Sequence, residues 1–416
     1  MIKMKSIDDF DCASKTVLLR VDINSPIDPD TKAIVNENRI QKSLPTIRKL
    51  LDKDAKLAII AHQGDTLDYQ NLIALEEHAE KLSNYLGIQV DYIDDVAGPA
   101  AQERVKSLDP GHAVLLGNLR YLSEEISTFE NAVKLEPGEM LDTYLVRGLA
   151  PLIDYYVNDA FAAAHRNAPS MVAFQELKPT AAGDLLFDEV SALSKVMLAP
   201  EHPSVFVLGG AKISDAFGMM SQVLESGTAD KILTCGVTGE VFLMASGYRL
   251  GATKEKFLKD RSLDVFVDDA KSYLENFSDR IEYPADLAYA ADGQRREVSI
   301  EDLPVDEMFM DIGAKTIANY QAAIAEAKTI FVNGPPGVYE DAAFSAGTEA
   351  IWNAIAESSG YSVIGGGDTV TAATKFVDLN RIDYVCTAGG AMVRYLSGKK
   401  LPLIQAMEKA FTRDSA

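Results

Sequence analysis

The chain has 416 residues, 47% apolar and 25% charged, with a net charge of −22. That balance suits a folded protein with two buried cores and excludes a disordered one. The acidity speaks against a nucleic-acid partner, which needs a basic footprint.

No apolar run approaches the ~18 residues that cross a bilayer. The charged start MIKMKSIDDFD has no signal-peptide core. Cys12, Cys235 and Cys386 are scattered and lack metal-ligand spacing. The expectation is a cytoplasmic, monomeric protein without a membrane or nucleic-acid partner. In so acidic a chain an anion site must be a local basic island, which makes each Arg and His informative.

Short runs of Val, Ile and Leu alternate with stretches of helical period, the pattern of a parallel α/β sheet. In the first half the pattern predicts strands at 16–21, 56–61, 113–116 and 155–158, with helices across 40–51, 75–86 and 139–149. A helix at 180–198, closed by Ala-Pro-Glu-His-Pro at 199–203, reads as a connector. In the second half strands are predicted at 205–208, 231–234, 329–333, 361–364 and 384–387, with a polar hairpin at 292–306.

Ligands of open α/β sheets sit beyond the carboxyl ends of the strands. In the first half those ends read RVDIN (20–24), AHQGD (61–65), GNLRY (117–121) and NDAFAAAHR (158–166). With Arg39 they gather Arg39, His62, Arg120, His165 and Arg166 near one edge, and the planar arginine fork suits carboxylate and phosphate. In the second half the ends are LGGAK (208–212), NGPPG (333–337), GGGDT (365–369) and TAGGA (387–391). A strand, a small-residue turn and a helix N-terminus aim backbone N–H groups at an anion. Lys212 and Asp368 add a charge and a Mg²⁺ ligand. One half therefore reads as the binder of a small anion and the other of a nucleotide, although GxxxxGK[ST] and GxGxxG are both absent. Trp352, Cys235 and Cys386 read as packing residues, His78, His112 and His202 as surface or loop residues, and Arg20 as a structural partner.

The segments VLLRVDIN, NRIQKSLPTI, AHQG, NLRY, YVNDAFAAAHRNAPS, VLGGAKISD, DIGAKTI, VNGPPGVYE, FSAGT, GGGDT and AGGAM follow one another along the chain. In that order they resemble the phosphoglycerate kinases, and AHQG and NDAFAAAHR resemble the archaeal branch. The resemblance implies two Rossmann-like parallel-sheet domains joined by a hinge and a connector helix. They would comprise an acid-binding domain at 1–176, a connector at 177–199 and a nucleotide-binding domain at 200–400, with the tail from 401 packing back on the first. It implies that Asp22, Asn24, Arg39, His62, Arg120 and Arg166 bind 3-phosphoglycerate. It also implies that Gly210, Lys212, Gly313, Asn333, Pro335, Gly337, Val338, Glu340, Gly366, Gly367, Asp368 and Thr369 bind ATP or ADP. Glu340 would hold the ribose and Asp368 the Mg²⁺.

The implied reaction converts 1,3-bisphosphoglycerate and MgADP to 3-phosphoglycerate and MgATP. Its carboxylate acceptor is ionised at pH 7, with a pKa of about 4, so no general base is required. Catalysis then rests on positioning and charge stabilisation by Arg39, Lys212 and the amides of Gly389 and Gly390.

Asp65 stands where the family shows an arginine, Ala216 where a second lysine is common, and Ala388 where a glycine is usual. Asp65 motivates a rival reading as a paralogous kinase acting on another carboxylate. A non-catalytic nucleotide binder is a further rival, opposed by the presence of Arg39, Lys212, Glu340 and Asp368. A nicotinamide dehydrogenase is opposed by the missing GxGxxG.

Overall fold

In a computed structural model, residues 3–64 and 72–415 are described; Asp65 lies outside them. The described chain divides into two units, residues 1–191 with 400–416, and residues 192–399.

The first unit is built on a seven-stranded sheet in the order β1-β7-β6-β2-β3-β5-β4. Its strands are β1 (Lys5–Ser6), β2 (Thr16–Arg20), β3 (Lys56–Ile60), β4 (Val90–Tyr92), β5 (Ala113–Leu115), β6 (Tyr155–Asn158) and β7 (Thr180–Ala182). Every pairing in it is parallel. β2 and β3 bury all but their first residues, which is why they read as unbroken apolar runs rather than alternating ones. Register sets up the site: Arg20 pairs with both Ile60 and Asn158, so the segments after β2, β3 and β6 leave the sheet at one edge.

The second unit carries a six-stranded parallel sheet in the order β10-β9-β8-β14-β15-β16 and a three-stranded antiparallel sheet in the order β12-β11-β13. Its strands are β8 (Ser204–Leu208), β9 (Lys231–Thr234), β10 (Ile281–Glu282), β11 (Asp286–Ala291), β12 (Gln294–Ser299), β13 (Phe309–Ile312), β14 (Thr329–Asn333), β15 (Tyr361–Ile364) and β16 (Tyr384–Val385). Asn333 pairs with Leu208, Val332 with Ile364, and Ile364 with Val385, which again aligns the carboxyl ends. A hairpin is present but spans 286–299 rather than 292–306: Asp292 and Gly293 both have positive φ between the paired Ala291 and Gln294, the two-residue turn that matches strand twist.

The structure corrects several expectations. Residues 180–182 form strand β7 rather than helical turns, and the helix begins only at Asp184, running Asp184–Leu198. The predicted helix at 139–149 is a 3-10 turn, Glu139–Asp142, followed by a short helix, Tyr144–Leu149; Thr143 in extended backbone separates them. β16 ends at Val385, two residues earlier than expected. His78 is fully buried. Its Nε2 lies 3.1 Å from Gln63 Oε1, so it props the segment after β3 from below.

Trp352, Cys235 and Cys386 are buried, as packing residues should be, and Cys12, Cys235 and Cys386 form no disulfide among the described residues. The C-terminal helix Pro402–Asp414 joins the first unit, where Leu403 N–H donates to Ala164 and Lys409 pairs with Glu176 at 2.7 Å. No helix among the described residues is long and apolar enough to cross a membrane.

Candidate functional site: a basic cluster and a nucleotide-sized cavity

The first unit gathers its cations around one imidazole. His62 is buried, and burial, then Arg20, Arg120, Arg166 and Arg39 in that order, push its pKa well below the usual histidine value. Four arginines acting on one ring is the mark of a basic island, and it leaves His62 neutral at pH 7. Arg20 Nη2 lies 2.8 Å from His62 Nδ1. A guanidinium can only donate, so Nδ1 accepts and the proton sits on Nε2, where it can donate to an anion.

The cluster is braced from behind. Arg39 Nη1 donates to Asp22 Oδ2 at 2.7 Å, and Asp22 Oδ1 accepts from Asn24 N at 3.1 Å. Asn24 Oδ1 in turn takes the N–H of Gly64 at 3.0 Å. Arg166 Nε donates to Glu130 Oε2 at 2.6 Å, and the other oxygen of Glu130 accepts from Asn167 N at 2.8 Å. Arg120 bonds the carbonyl of Glu125, whose carboxylate accepts from Ser170 N at 2.7 Å and Ser170 Oγ at 2.6 Å. The structure thus brings together Asp22, Asn24, Arg39, His62, Arg120 and Arg166, while His165 is half-buried beside Arg166. Sequence reasoning missed the acidic braces Glu125 and Glu130. It also treated Arg20 as scaffold alone, although Arg20 sets the tautomer of His62.

The second unit presents backbone instead. The helices Ile213–Glu225, Gly367–Phe376 and Gly389–Leu396 begin just beyond β8, β15 and β16, and none has a side-chain cap. Their first N–H groups therefore have no intrahelical or capping partner and suit an anion. Gly334 (φ +91°) passes so close to β8 that a Cβ there would fall 2.1 Å from Gly209 O, so only glycine lets these two strand ends meet. Gly389 lies against Gly366, where a Cβ would fall 3.4 Å from the Gly366 Cα, which puts two of the helix N-termini side by side. Gly390 follows on the same turn, with open space around it. Ala388 has φ −126° and ψ 84°, a conformation open to alanine, so its replacement of glycine does not distort the turn. Ala216 is buried on the helix Ile213–Glu225.

Lys212 Nζ lies 3.9 Å from Asp368 Oδ2, both side chains largely exposed. Beside them is a cavity of about 540 Å³ walled by Gly210, Pro335, Gly337, Val338, Glu340 and Asp368, with Phe257, Leu287 and Met310 among its apolar residues. A larger, open groove of about 770 Å³ runs past Lys231, Glu282 and Asn319. It takes in the starts of β8 and β9 and the short edge strand β10, away from the segments after β8, β14 and β15.

Three of the expected nucleotide residues also serve the fold. Asn333 Nδ2 donates to Gly365 O at 2.9 Å, and Thr369 Oγ1 accepts from Gly334 N at 2.8 Å, so both fasten the loops from inside. Gly313 is not on the cavity wall: a Cβ there would meet the Asp286 carboxylate at 2.3 Å. That carboxylate already accepts from Lys315 N and Thr316 N, filling the N-terminus of the helix Ala314–Glu326.

A guanidinium nest for a small polyanion in one unit, with a nucleotide-sized cavity and uncapped helix N-termini in the other, defines a phosphotransferase of nucleotides and small acids. The family model described as "Phosphoglycerate kinase" matches residues 7–399. The phosphoglycerate kinase of Methanothermus fervidus is 42% identical over 413 residues, covering 99% of both chains. That of Thermococcus kodakarensis is 41% identical over 416 residues, covering 99% of this chain and 98% of the relative. The crystal structure of phosphoglycerate kinase from Pyrococcus horikoshii OT3 superposes with a TM-score of 0.84 at 36% identity, covering 99% of this chain and all of that one. The chain belongs to the phosphoglycerate kinase family, and its activity is phosphoryl transfer between a nucleotide and the carboxyl group of phosphoglycerate.

Proposed function

We propose that the first unit binds 3-phosphoglycerate on Asp22, Asn24, Arg39, His62, Arg120 and Arg166, and that the second binds ADP or ATP in the cavity walled by Gly210, Pro335, Val338 and Glu340. The reaction is reversible transfer between 1,3-bisphosphoglycerate and MgADP. The observation that carries the acid site is the convergence of four arginines on His62.

Arg120 and Arg166 take the phosphate of the acid, with the Nε2–H of His62 as a neutral donor. Arg39, more exposed than the likewise braced Arg166, faces the acyl group and the transferring phosphoryl. Lys212 meets the phosphoryl oxygens, and the adjoining N-termini at Gly367 and Gly389, with Gly390, supply amides to the same charge. The acid's carboxylate attacks already ionised, so every side chain in the scheme positions or neutralises and none needs to move a proton.

Asp368 offers the single carboxylate near the phosphate end of the cavity, and no cluster of three metal-ligating side chains exists among the described residues. That donor set fits Mg²⁺, which keeps several waters and is held by one or two carboxylates together with substrate phosphates. Magnesium, when bound with the nucleotide, neutralises phosphate charge there. In-line transfer requires both bound groups to meet, and we assign the helix Asp184–Leu198, within which the chain passes from one unit to the other, the role of link. Cysteines without a disulfide support a cytoplasmic setting.

Calorimetric titration with 3-phosphoglycerate tests the assignment. Arg166→Ala should lose acid binding while ATP binding is kept. Unchanged acid affinity in that variant would remove the basic cluster from the mechanism.

A further inference from the structure

The wall of the 540 Å³ cavity contains one buried ion pair that the transfer scheme does not use. Lys254 Nζ lies 2.8 Å from Glu240 Oε1, with the two side chains only 3% and 5% exposed. Lys254 also donates to Phe309 O at 3.2 Å. The pair thus ties the helices Gly236–Ala245 and Ala252–Asp260 to β13.

The pair is incomplete. Glu240 Oε2 has no hydrogen-bond partner, and among the described residues no other cavity-wall residue carries a buried, unpartnered side-chain polar atom. Its neighbours on the wall include Phe257, Leu287 and Phe309, none of which brings a side-chain donor. An unmet acceptor in such surroundings is costly, and native proteins seldom retain one without a use for it. Phe257 and Phe309 both lie against Lys254, so the wall beside the pair is apolar and aromatic, a surface that takes a base rather than a triphosphate.

We propose that Glu240 reads a hydrogen-bond donor on the edge of the nucleotide base, which in adenine is the 6-amino group. The inference rests on the reading that this cavity holds the nucleotide. Adenine flanks its amino group with the acceptors N1 and N7. An ammonium has three donors, two of which are accounted for by Glu240 and Phe309, so Lys254 retains one for such an acceptor. Glu240 and Lys254 would then set base preference without touching the reacting phosphoryl.

The test compares ATP with purine riboside triphosphate, which lacks the 6-amino group and offers no donor on that edge. For the wild-type enzyme, KM for the analogue should exceed KM for ATP by at least ~10-fold, as for a site built around a hydrogen bond to a charged group. The variant Glu240→Leu/Lys254→Met replaces the pair with apolar side chains of similar size, an exchange that buried pairs often tolerate. In it the two KM values should come within ~3-fold of each other, as expected once no hydrogen bond remains to discriminate them.

Equal KM values in the wild type overturn the proposal, and that comparison needs no variant to fold. Discrimination that survives the double substitution overturns it as well, by assigning the reading to another group. Val338→Trp, which fills the cavity mouth, separates the two layers of the argument. If it leaves KM for ATP unchanged, the cavity is not the nucleotide site at all. If it raises KM for both nucleotides, the cavity stands and the ratio alone decides about Glu240.

Discussion

The Arg39 guanidinium donates through Nη1 to Asp22 Oδ2 at 2.7 Å while 45% of its side chain remains exposed. One edge of the fork is fixed by a carboxylate that Asn24 N–H holds in turn, and the other donors remain available to a ligand. Asp22 is buried but keeps the Asn24 N–H when Arg39 is absent, so the purpose of the pair is aim more than folding.

Arg39→Ala should therefore lower kcat by ~100-fold or more, the size of one lost transition-state donor, with a melting temperature close to wild type. Arg39→Lys should not restore the rate, because an ammonium cannot both keep the Asp22 contact and present a second edge. Coupled assays and thermal melts on the two variants check this. Near-normal turnover in the alanine variant would end the role given to Arg39.

Lys212 and Asp368 stand 3.9 Å apart with both side chains largely in water, a loose pair held ready rather than spent. Lys212→Ala should cost ~100-fold or more in kcat without loss of stability. Asp368→Asn should instead raise the magnesium concentration needed for half-maximal rate. If Lys212→Ala shifted KM for ATP and left kcat alone, the lysine would be a binding residue and not a stabiliser of the transferring group.

The basic cluster makes a prediction about pH. His62 is held neutral by burial and by the four arginines, so it should not titrate between pH 6 and 8. Were it to ionise there, acid affinity would rise as pH fell through the usual histidine value. The expectation is a ring whose NMR shifts stay constant across that window, with Nδ1 unprotonated because Arg20 donates to it. A His62 titration step near pH 6.5 would show the cluster to be more open than the structure has it.

Much of this was legible in the sequence. The central strands announced themselves because burial on both faces writes an unbroken apolar run, which also marked out the segments that follow them. Strand β7 was not legible: its three small residues, Thr180, Ala181 and Ala182, carry no period and join the sheet by pairing with β1 and β6. The braces escaped for a different reason. Glu130 meets Arg166 across 36 residues and Glu125 meets Ser170 across 45, and nothing local distinguishes such glutamates from solvated ones. His78 shares a helix face with Ala79 and Leu82, and only the tertiary contact with Gln63 explains a histidine there. The close fit of Gly313 against Asp286 was hidden for the same reason, since their contact spans two strands of chain with no local mark.

Asp159 and His78 make opposing contributions to stability over one pH range. Burial raises the Asp159 carboxyl from 3.8 to about 7, although Oδ1 accepts from Leu186 N at 3.0 Å. Between pH 4 and 7 the folded state thus keeps a proton on Asp159 that the unfolded state has lost, so this group's contribution falls as pH rises. Burial lowers His78 from 6.5 to about 4, so between those values the unfolded state holds the extra proton and stability rises with pH. The two slopes, each up to ~1.4 kcal/mol per pH unit, oppose one another where they overlap. Asp159→Asn keeps an oxygen for Leu186 and removes one slope. Its stability relative to wild type should climb from pH 4.5 to 7 and then level off. His78→Gln removes the other, and its stability relative to wild type should climb as pH falls from 6.5 to 4.5. Urea titrations followed by a probe in the first unit measure both differences, and flat difference curves would mean that neither group is buried in its present protonation state.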